Sequence, residues 1–242
     1  MPKARKEKFK EGKERFKTKH DVFDEFTNRT IFKLMTEGHF KGLESPINIG
    51  KESNVFSALT EEGKRVIVKI YRLETCDFNL MYDYIKYDPR YLNLKDKKRK
   101  VIFAWVQREY RNLMNSREAQ VSVPLPITFS NNVLVLEFVG KNDKIAQMLK
   151  DDIPKNKKQF FDKVIDNIRK MYKAGIVHAD LSAFNILNFN ETPVFIDMSQ
   201  ATLLRHPRAE EFLARDIKNI CAFFNKIGLK VKEEETLKKI KQ

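Results

Sequence analysis

Ile176-Val177-His178-Ala179-Asp180-Leu181-Ser182-Ala183-Phe184-Asn185-Ile186-Leu187, followed by Val194-Phe195-Ile196-Asp197-Met198-Ser199, decides the reading of this 242-residue chain. An aspartate, an asparagine five residues on and a second aspartate at 197 put three oxygen-bearing side chains on two adjoining loops. Mg²⁺ takes hard oxygen ligands and keeps several waters, so one amide and one carboxylate suffice if phosphate oxygens complete the shell. The apolar runs Ile186-Leu187 and Val194-Phe195-Ile196, split by Asn188, Asn190 and Pro193, predict a small hairpin that brings Asn185 and Asp197 to one end. Asp and Asn also favour ordinary turns, and the placement of Ile196-Asp197 is what separates the two readings.

The pattern H-x-D-x-x-x-x-N with a following Ile-Asp resembles the catalytic and metal loops of protein kinases, where an Asp meets the nucleophile and an Asn with a second Asp holds magnesium. Upstream, Asn48-Ile49-Gly50-Lys51-Glu52-Ser53-Asn54-Val55 stands where kinases have a glycine-rich loop; only Gly50 remains of its three glycines. Gly50 lets backbone N–H groups approach phosphate, Ser53 offers a hydroxyl and Lys51 adds charge. Val66-Ile67-Val68-Lys69 matches the kinase strand whose lysine contacts the α- and β-phosphates. By alternation Lys69 shares a face with Ile67 and Tyr71, toward a cleft. Such a lysine needs an anionic partner, and Glu109 on the next helix is the first candidate, with Glu118, past the strongest periodic segment, the second. Leu136-Glu137-Phe138-Val139-Gly140 fits the connection between lobes, so the Glu137 carbonyl and Val139 amide should meet a purine, with Val55 and Ile67 above it and Leu187 and Ile196 below.

An apolar share of 42% with 19 Phe argues for a packed core. No apolar run approaches the roughly 18 residues of a membrane span. The first twenty residues hold nine Lys or Arg and three Glu and no apolar stretch, so they are not a secretory signal. Cys76 and Cys221 are unclustered, which excludes a cysteine-based zinc site and fits a cytoplasmic protein. The formal charge of +14, concentrated in residues 1–20 and in Lys95-Asp96-Lys97-Lys98-Arg99-Lys100, favours a polyanionic partner such as RNA or a ribonucleoprotein, although clusters of this kind also serve as solvated surface.

The expected fold is α+β: a bilobal, kinase-like arrangement with a β-rich N-lobe and a reduced helical C-lobe. Residues 1–44 read as a basic helical extension packing on the body, 45–139 as the N-lobe with an irregular, mobile insertion at 76–100, and 140–242 as the C-lobe. Hairpins are predicted at 55–71 and 127–138, helices over 101–115, 145–149, 156–174 and 209–226, with Gly175 in a C-cap position. Eight residues, Met198 to Arg205, separate Asp197 from His206-Pro207, which leaves no room for an activation loop or a peptide-docking platform.

Gly50-Lys51-Glu52-Ser53-Asn54-Val55-Phe56, the loop from His178 to Leu187, Ile196-Asp197-Met198-Ser199-Gln200-Ala201 and His206-Pro207-Arg208-Ala209-Glu210-Glu211-Phe212-Leu213-Ala214-Arg215-Asp216 together resemble the RIO atypical protein kinases. Ile-Asp-Met-Ser-Gln points to the first branch of that family, and the short ends to an archaeal-type member. The resemblance implies ATP with Mg²⁺, Mn²⁺ being a substitute, and a serine/threonine kinase or ATPase acting in maturation of the small ribosomal subunit. Its precursor particle or rRNA would be the partner. Asp197 would accept phosphate as an aspartyl intermediate, or the chain would phosphorylate itself, with Asp180 deprotonating a water or hydroxyl. Two rivals remain: a small-molecule phosphotransferase sharing the same loop, and a non-catalytic ribonucleoprotein scaffold of kinase shape.

Overall fold

Alternating apolar residues build the first sheet. Its strands β1 (Leu43–Ile49), β2 (Ser53–Leu59), β3 (Arg65–Tyr71), β4 (Pro126–Ser130) and β5 (Val133–Glu137) lie in the order β1-β2-β3-β5-β4, all antiparallel. The computed structural model describes residues 23–88, 91, 94 and 97–242. In β3, Val66, Val68 and Ile70 face one side and Ile67, Lys69 and Tyr71 the other, as the period of two requires. The first set packs with Phe56, Val133 and Val135 against Ile31 and Leu34 of helix α1 (Glu25–Thr36). Asp24 starts that helix by accepting the Thr27 amide at 3.0 Å. The Thr27 hydroxyl accepts from Asn132 Nδ2, which also donates to the Tyr71 carbonyl, fastening the helix start to the end of β3. Of the extension expected over 1–44, residues 1–22 lie outside the described residues.

The stretch from Cys76 onward differs from the irregular insertion expected. Phe78–Ile85 forms helix α2, with Asp77 accepting the Leu80 amide at 3.0 Å. Met81, Tyr84 and Ile85 are buried, and Tyr84 stacks on Phe212 while meeting Trp105 edge-on. The helix escapes a reading by period because eight residues show that period barely twice. Helix α3 runs from Lys98 to Glu118, longer than expected at both ends.

Strands β6 (Gly140–Lys141) and β7 (Lys144–Ile145) form a hairpin after the connection. Residues 145–149, expected helical, are instead extended: β8 (Gln147–Met148) joins β10 (Ile186–Phe189) and β11 (Thr192–Phe195) in the order β11-β10-β8. Pairing with residues some forty positions away overrides the local pattern there, and Leu149 N donates to Ile186 O at 2.7 Å. Helix α4 (Lys157–Lys173) is N-capped by Asn156 and is followed by Gly175 at φ +77°, a conformation that favours glycine. Strand β9 (Ile176–Val177) pairs with β12 (Thr202–Leu203), so the segment after Asp197 turns straight back into the body. Helices α5 (Ala209–Lys226) and α6 (Glu233–Lys241) complete this half, with Phe160, Phe161 and Phe224 packed between α4 and α5.

Candidate active site

A cleft of about 340 Å³ opens between the five-stranded sheet and the β8–β10–β11 sheet. Ser53, Val55, Ile67, Lys69, Glu109, Glu137, Val139, Asn185, Leu187, Ile196 and Asp197 all line it. Gly50, Lys51 and Asp180 do not, although Asp180 joins through Asn185. The lining also includes Ala146 and Met148, which the expectation of a helix over 145–149 leaves out of the site. Phe184, 60% exposed, stands at the edge of the cleft within the loop that carries Asp180.

Lys69 ties the two halves together. Its Nζ lies 2.8 Å from Glu109 Oε1 and 2.9 Å from Asp197 Oδ1, across 128 residues of sequence in the second case. Burial works against the ammonium, but Asp197 and then Glu109 overcome it and hold Lys69 well above its ordinary value. Burial likewise works to raise Asp197, yet the Lys69 charge and the Ser199 hydroxyl at 2.7 Å hold it down to about 2. Both donors land on Oδ1, so Oδ2 has no hydrogen-bond partner among the described residues. Glu109 is raised by its burial and has a second donor, the Tyr71 hydroxyl on Oε2. Nothing in the strand pattern points to that donor beyond the face it shares with Lys69.

Helix α3 aims at both loops at once. While Glu109 reaches Lys69, Asn112 Nδ2 donates to the carbonyls of Met198 and Ala201 at 2.9 and 2.8 Å, and Arg108 Nη2 to that of Ala201 at 2.9 Å. His178 Nε2 donates to the Ile196 carbonyl at 3.1 Å, and burial depresses the imidazole to about 4, so it is neutral and steadies the residue before Asp197.

Ala179 and Asp197 occupy the left-handed region, at φ +65° and +57°. For a non-glycine residue this costs on the order of 1 kcal/mol or more, and a surrounding structure must hold it. At Ala179, Asp216 on α5 does so: Oδ2 accepts the Ala179 amide and Oδ1 the Leu181 amide, both at 2.8 Å, while Arg215 holds the Ala179 carbonyl. Burial pushes Asp216 up to about 7 despite those two donors. Sequence alone does not reveal this clamp, because its partners are some 36 residues apart.

Asn185 Nδ2 donates to the Asp180 carbonyl at 2.8 Å and to its Oδ2 at 3.3 Å. Only the NH₂ end of an amide can bond a carboxylate, so the side-chain oxygen of Asn185 is turned away and available. With ionised Asp197, whose side chain is 42% exposed, it forms a hard-oxygen donor pair that fits Mg²⁺. Asp180 is raised above the usual carboxylate range by burial and by the neighbouring Asp197 charge.

Gly50 serves a tight turn. Its N–H donates to the Ser53 carbonyl at 3.0 Å, and a Cβ there would come within 2.9 Å of that oxygen. The carbonyl of Lys51 accepts from Thr75 Oγ1 at 2.6 Å, and that of Glu52 from Arg72 N at 2.9 Å, so the segment after β3 anchors the turn.

The chain matches the RIO domain family over residues 54–237. It is 41% identical to the RIO-type serine/threonine-protein kinase Rio1 of Haloferax volcanii over 89% of this chain and 74% of that protein. The Methanocaldococcus jannaschii protein of the same name is 40% identical over 91% and 76%. The human serine/threonine-protein kinase RIO1 is 35% identical over 86% of this chain but only 37% of its own length. Among solved structures, the Rio2 kinase–ADP/Mg²⁺–phosphoaspartate complex from Chaetomium thermophilum superposes with a TM-score of 0.67 at 24% identity, over 87% of this chain and 65% of that one. The kinase-like bilobal fold is thereby shown.

Proposed function

The chain belongs to the RIO family and is an atypical serine/threonine protein kinase, and from that premise we propose that it binds ATP with Mg²⁺ in the cleft and passes the γ-phosphoryl group to Asp197, to a hydroxyl or to water. One observation carries the proposal: Lys69, Glu109, Asn185 and Asp197, drawn from four separate elements, line a single crevice. The purine sits between Val55 and Ile67 on one side and Leu187 and Ile196 on the other, at the edge formed by Glu137 and Val139. Lys69 exchanges part of its contact with Asp197 for the α- and β-phosphates. Asn185 and Asp197 are the residues that hold Mg²⁺, which when bound neutralises charge on the phosphate oxygens.

Asp197 Oδ2, free of hydrogen bonds among the described residues, is the oxygen that accepts phosphorus, and the bond to ADP breaks as the new one forms. The Chaetomium thermophilum Rio2 kinase forms a phosphoaspartate complex with ADP and Mg²⁺, and that likeness supports this route here. Asp180, with a raised affinity for protons, takes the proton of an incoming hydroxyl or water. The proposal extends to a cytoplasmic role in maturation of the small ribosomal subunit, supported by the +14 charge, which favours a polyanionic surface as partner.

The test is incubation with γ-labelled ATP and Mg²⁺, with and without precursor particles of the small subunit. Label lost to alkali and hydroxylamine marks an acyl phosphate, and acid-stable label marks Ser or Thr. The Asp197→Asn variant should lose metal-dependent ATP turnover and the acyl label; normal turnover by it would refute the assignment.

A further inference from the structure

The single proton of the Ser199 hydroxyl is spent on Asp197 Oδ1, at 2.7 Å, from a residue only 7% exposed. Ser199 is itself held from elsewhere. It lies in a turn closed by Ala201 N donating to Met198 O at 3.2 Å, and Asn112 on α3 donates to the carbonyls of both residues, at 2.9 and 2.8 Å. The hydroxyl is therefore a fixed post beside the carboxylate, whereas Lys69, the other donor to Oδ1, divides its ammonium between Asp197 and Glu109. Once Lys69 turns part of its contact over to phosphates, Ser199 is the donor that remains on Oδ1 among the described residues.

We propose that Ser199 is a positioning residue that commits Asp197 to accept phosphorus. The two oxygens of a carboxylate are equivalent, and the torsion that carries them has broad wells, so a free aspartate presents no fixed oxygen. With Oδ1 tied to Ser199 that rotation stops, and Oδ2 is the oxygen left to meet phosphorus. Untied, the carboxylate follows Lys69, its other donor, and its plane is no longer set. In the step itself Oδ2 forms the bond to phosphorus, the P–O bond to the leaving oxygen of ADP breaks, and its electron pair stays on ADP. Asp197 is ionised and gives up no proton, and Ser199 keeps its own throughout.

This inference rests on the reading of Asp197 as the phosphoryl acceptor. It is tested in single turnovers of γ-labelled ATP with Ser199→Ala, and with Ser199→Thr, which keeps the hydroxyl. Hydroxylamine-labile label should fall about 10- to 100-fold in Ser199→Ala and stay within about threefold of wild type in Ser199→Thr. Binding of ADP with Mn²⁺, read by calorimetry without any turnover, should stay within about twofold in both variants, which separates this role from support of the fold or of the nucleotide. Labelling of Ser199→Ala within about threefold of wild type, an equal loss in Ser199→Thr, or a matching loss of ADP affinity would overturn the role of Ser199 and leave Asp197 as the acceptor. Wild-type protein that turns ATP over without any hydroxylamine-labile label would instead sink the reading of Asp197, and the role of Ser199 with it.

Discussion

Replacing Tyr71 by phenylalanine deletes a single oxygen from a side chain 2% exposed and leaves the ring in place. The lost hydroxyl is the donor to Glu109 Oε2, while Oε1 keeps Lys69 at 2.8 Å and the Lys69 ammonium keeps its place 5.0 Å from the ring centroid. No cavity of consequence forms, so the effect isolates one hydrogen bond to a charged, buried acceptor. Bonds of that kind contribute about 1.5–3 kcal/mol, and both side chains are buried, so a loss of about 2 kcal/mol is expected. For a chain of this size that corresponds to a fall in Tm of roughly 4–8 °C. Urea unfolding should show the midpoint moved with the slope unchanged. The sharper assay is a double-mutant cycle with Glu109→Gln: once the carboxylate is gone, removal of the hydroxyl should cost far less, giving a coupling energy of at least about 1 kcal/mol. In the single variant Lys69 also loses support, and KM for ATP should rise about threefold to tenfold. Additivity within about 0.5 kcal/mol would refute the claim that Tyr71 acts through Glu109.

Folding holds His178 at about 4 against an ordinary 6.5, so its neutral form contributes stability above about 6.5 that is lost as pH falls toward 4; the shift is worth on the order of 3 kcal/mol, and urea midpoints of His178→Gln should depend less on pH across that window. Asp216→Asn would set an amide NH₂ against one of the two backbone N–H groups that Asp216 now accepts; steady-state kinetics should show kcat down by about 10- to 100-fold with KM little changed. The same carboxylate is raised to about 7, so its contribution to folding is present below about 3.8 and fades as pH rises through 7; a flat profile in Asp216→Asn would identify it as the source. Gly50→Ala forces the β1–β2 turn open against the Ser53 carbonyl, and titration should show ATP binding weaker by about 1 kcal/mol, roughly fivefold, at near-normal global stability.

The sequence made the cleft legible because each of its parts is local: Asn185 and Asp197 meet through a hairpin, Lys69 through alternation in one strand, and α4 and α5 through their own periodicity and capping. What stayed hidden depends on partners distant in the chain. The Tyr71 hydroxyl and the Asp216 clamp are invisible until β3 meets α3 and α5 meets the loop at 178–181. The strands at 144–148 exist only by pairing across a turn or with β10, and their apolar residues carry no two-residue period long enough to show it. Asp77 ahead of Phe78 is a readable cap, and it is the one local signal for α2.

Helix α1 roofs the outer face of the five-stranded sheet, and this sets where the chain can be shortened. Deleting everything up to the first strand would bare Phe56, Val66, Val68, Val133 and Val135 as one oily plane and invite self-association. A cut just ahead of Phe23 keeps the roof and its Asp24 tether while shedding the cationic head, in which residues 1–20 hold nine basic and three acidic groups. Such a trimmed protein gives a clean way to separate adhesion to polyanions from chemistry in the crevice.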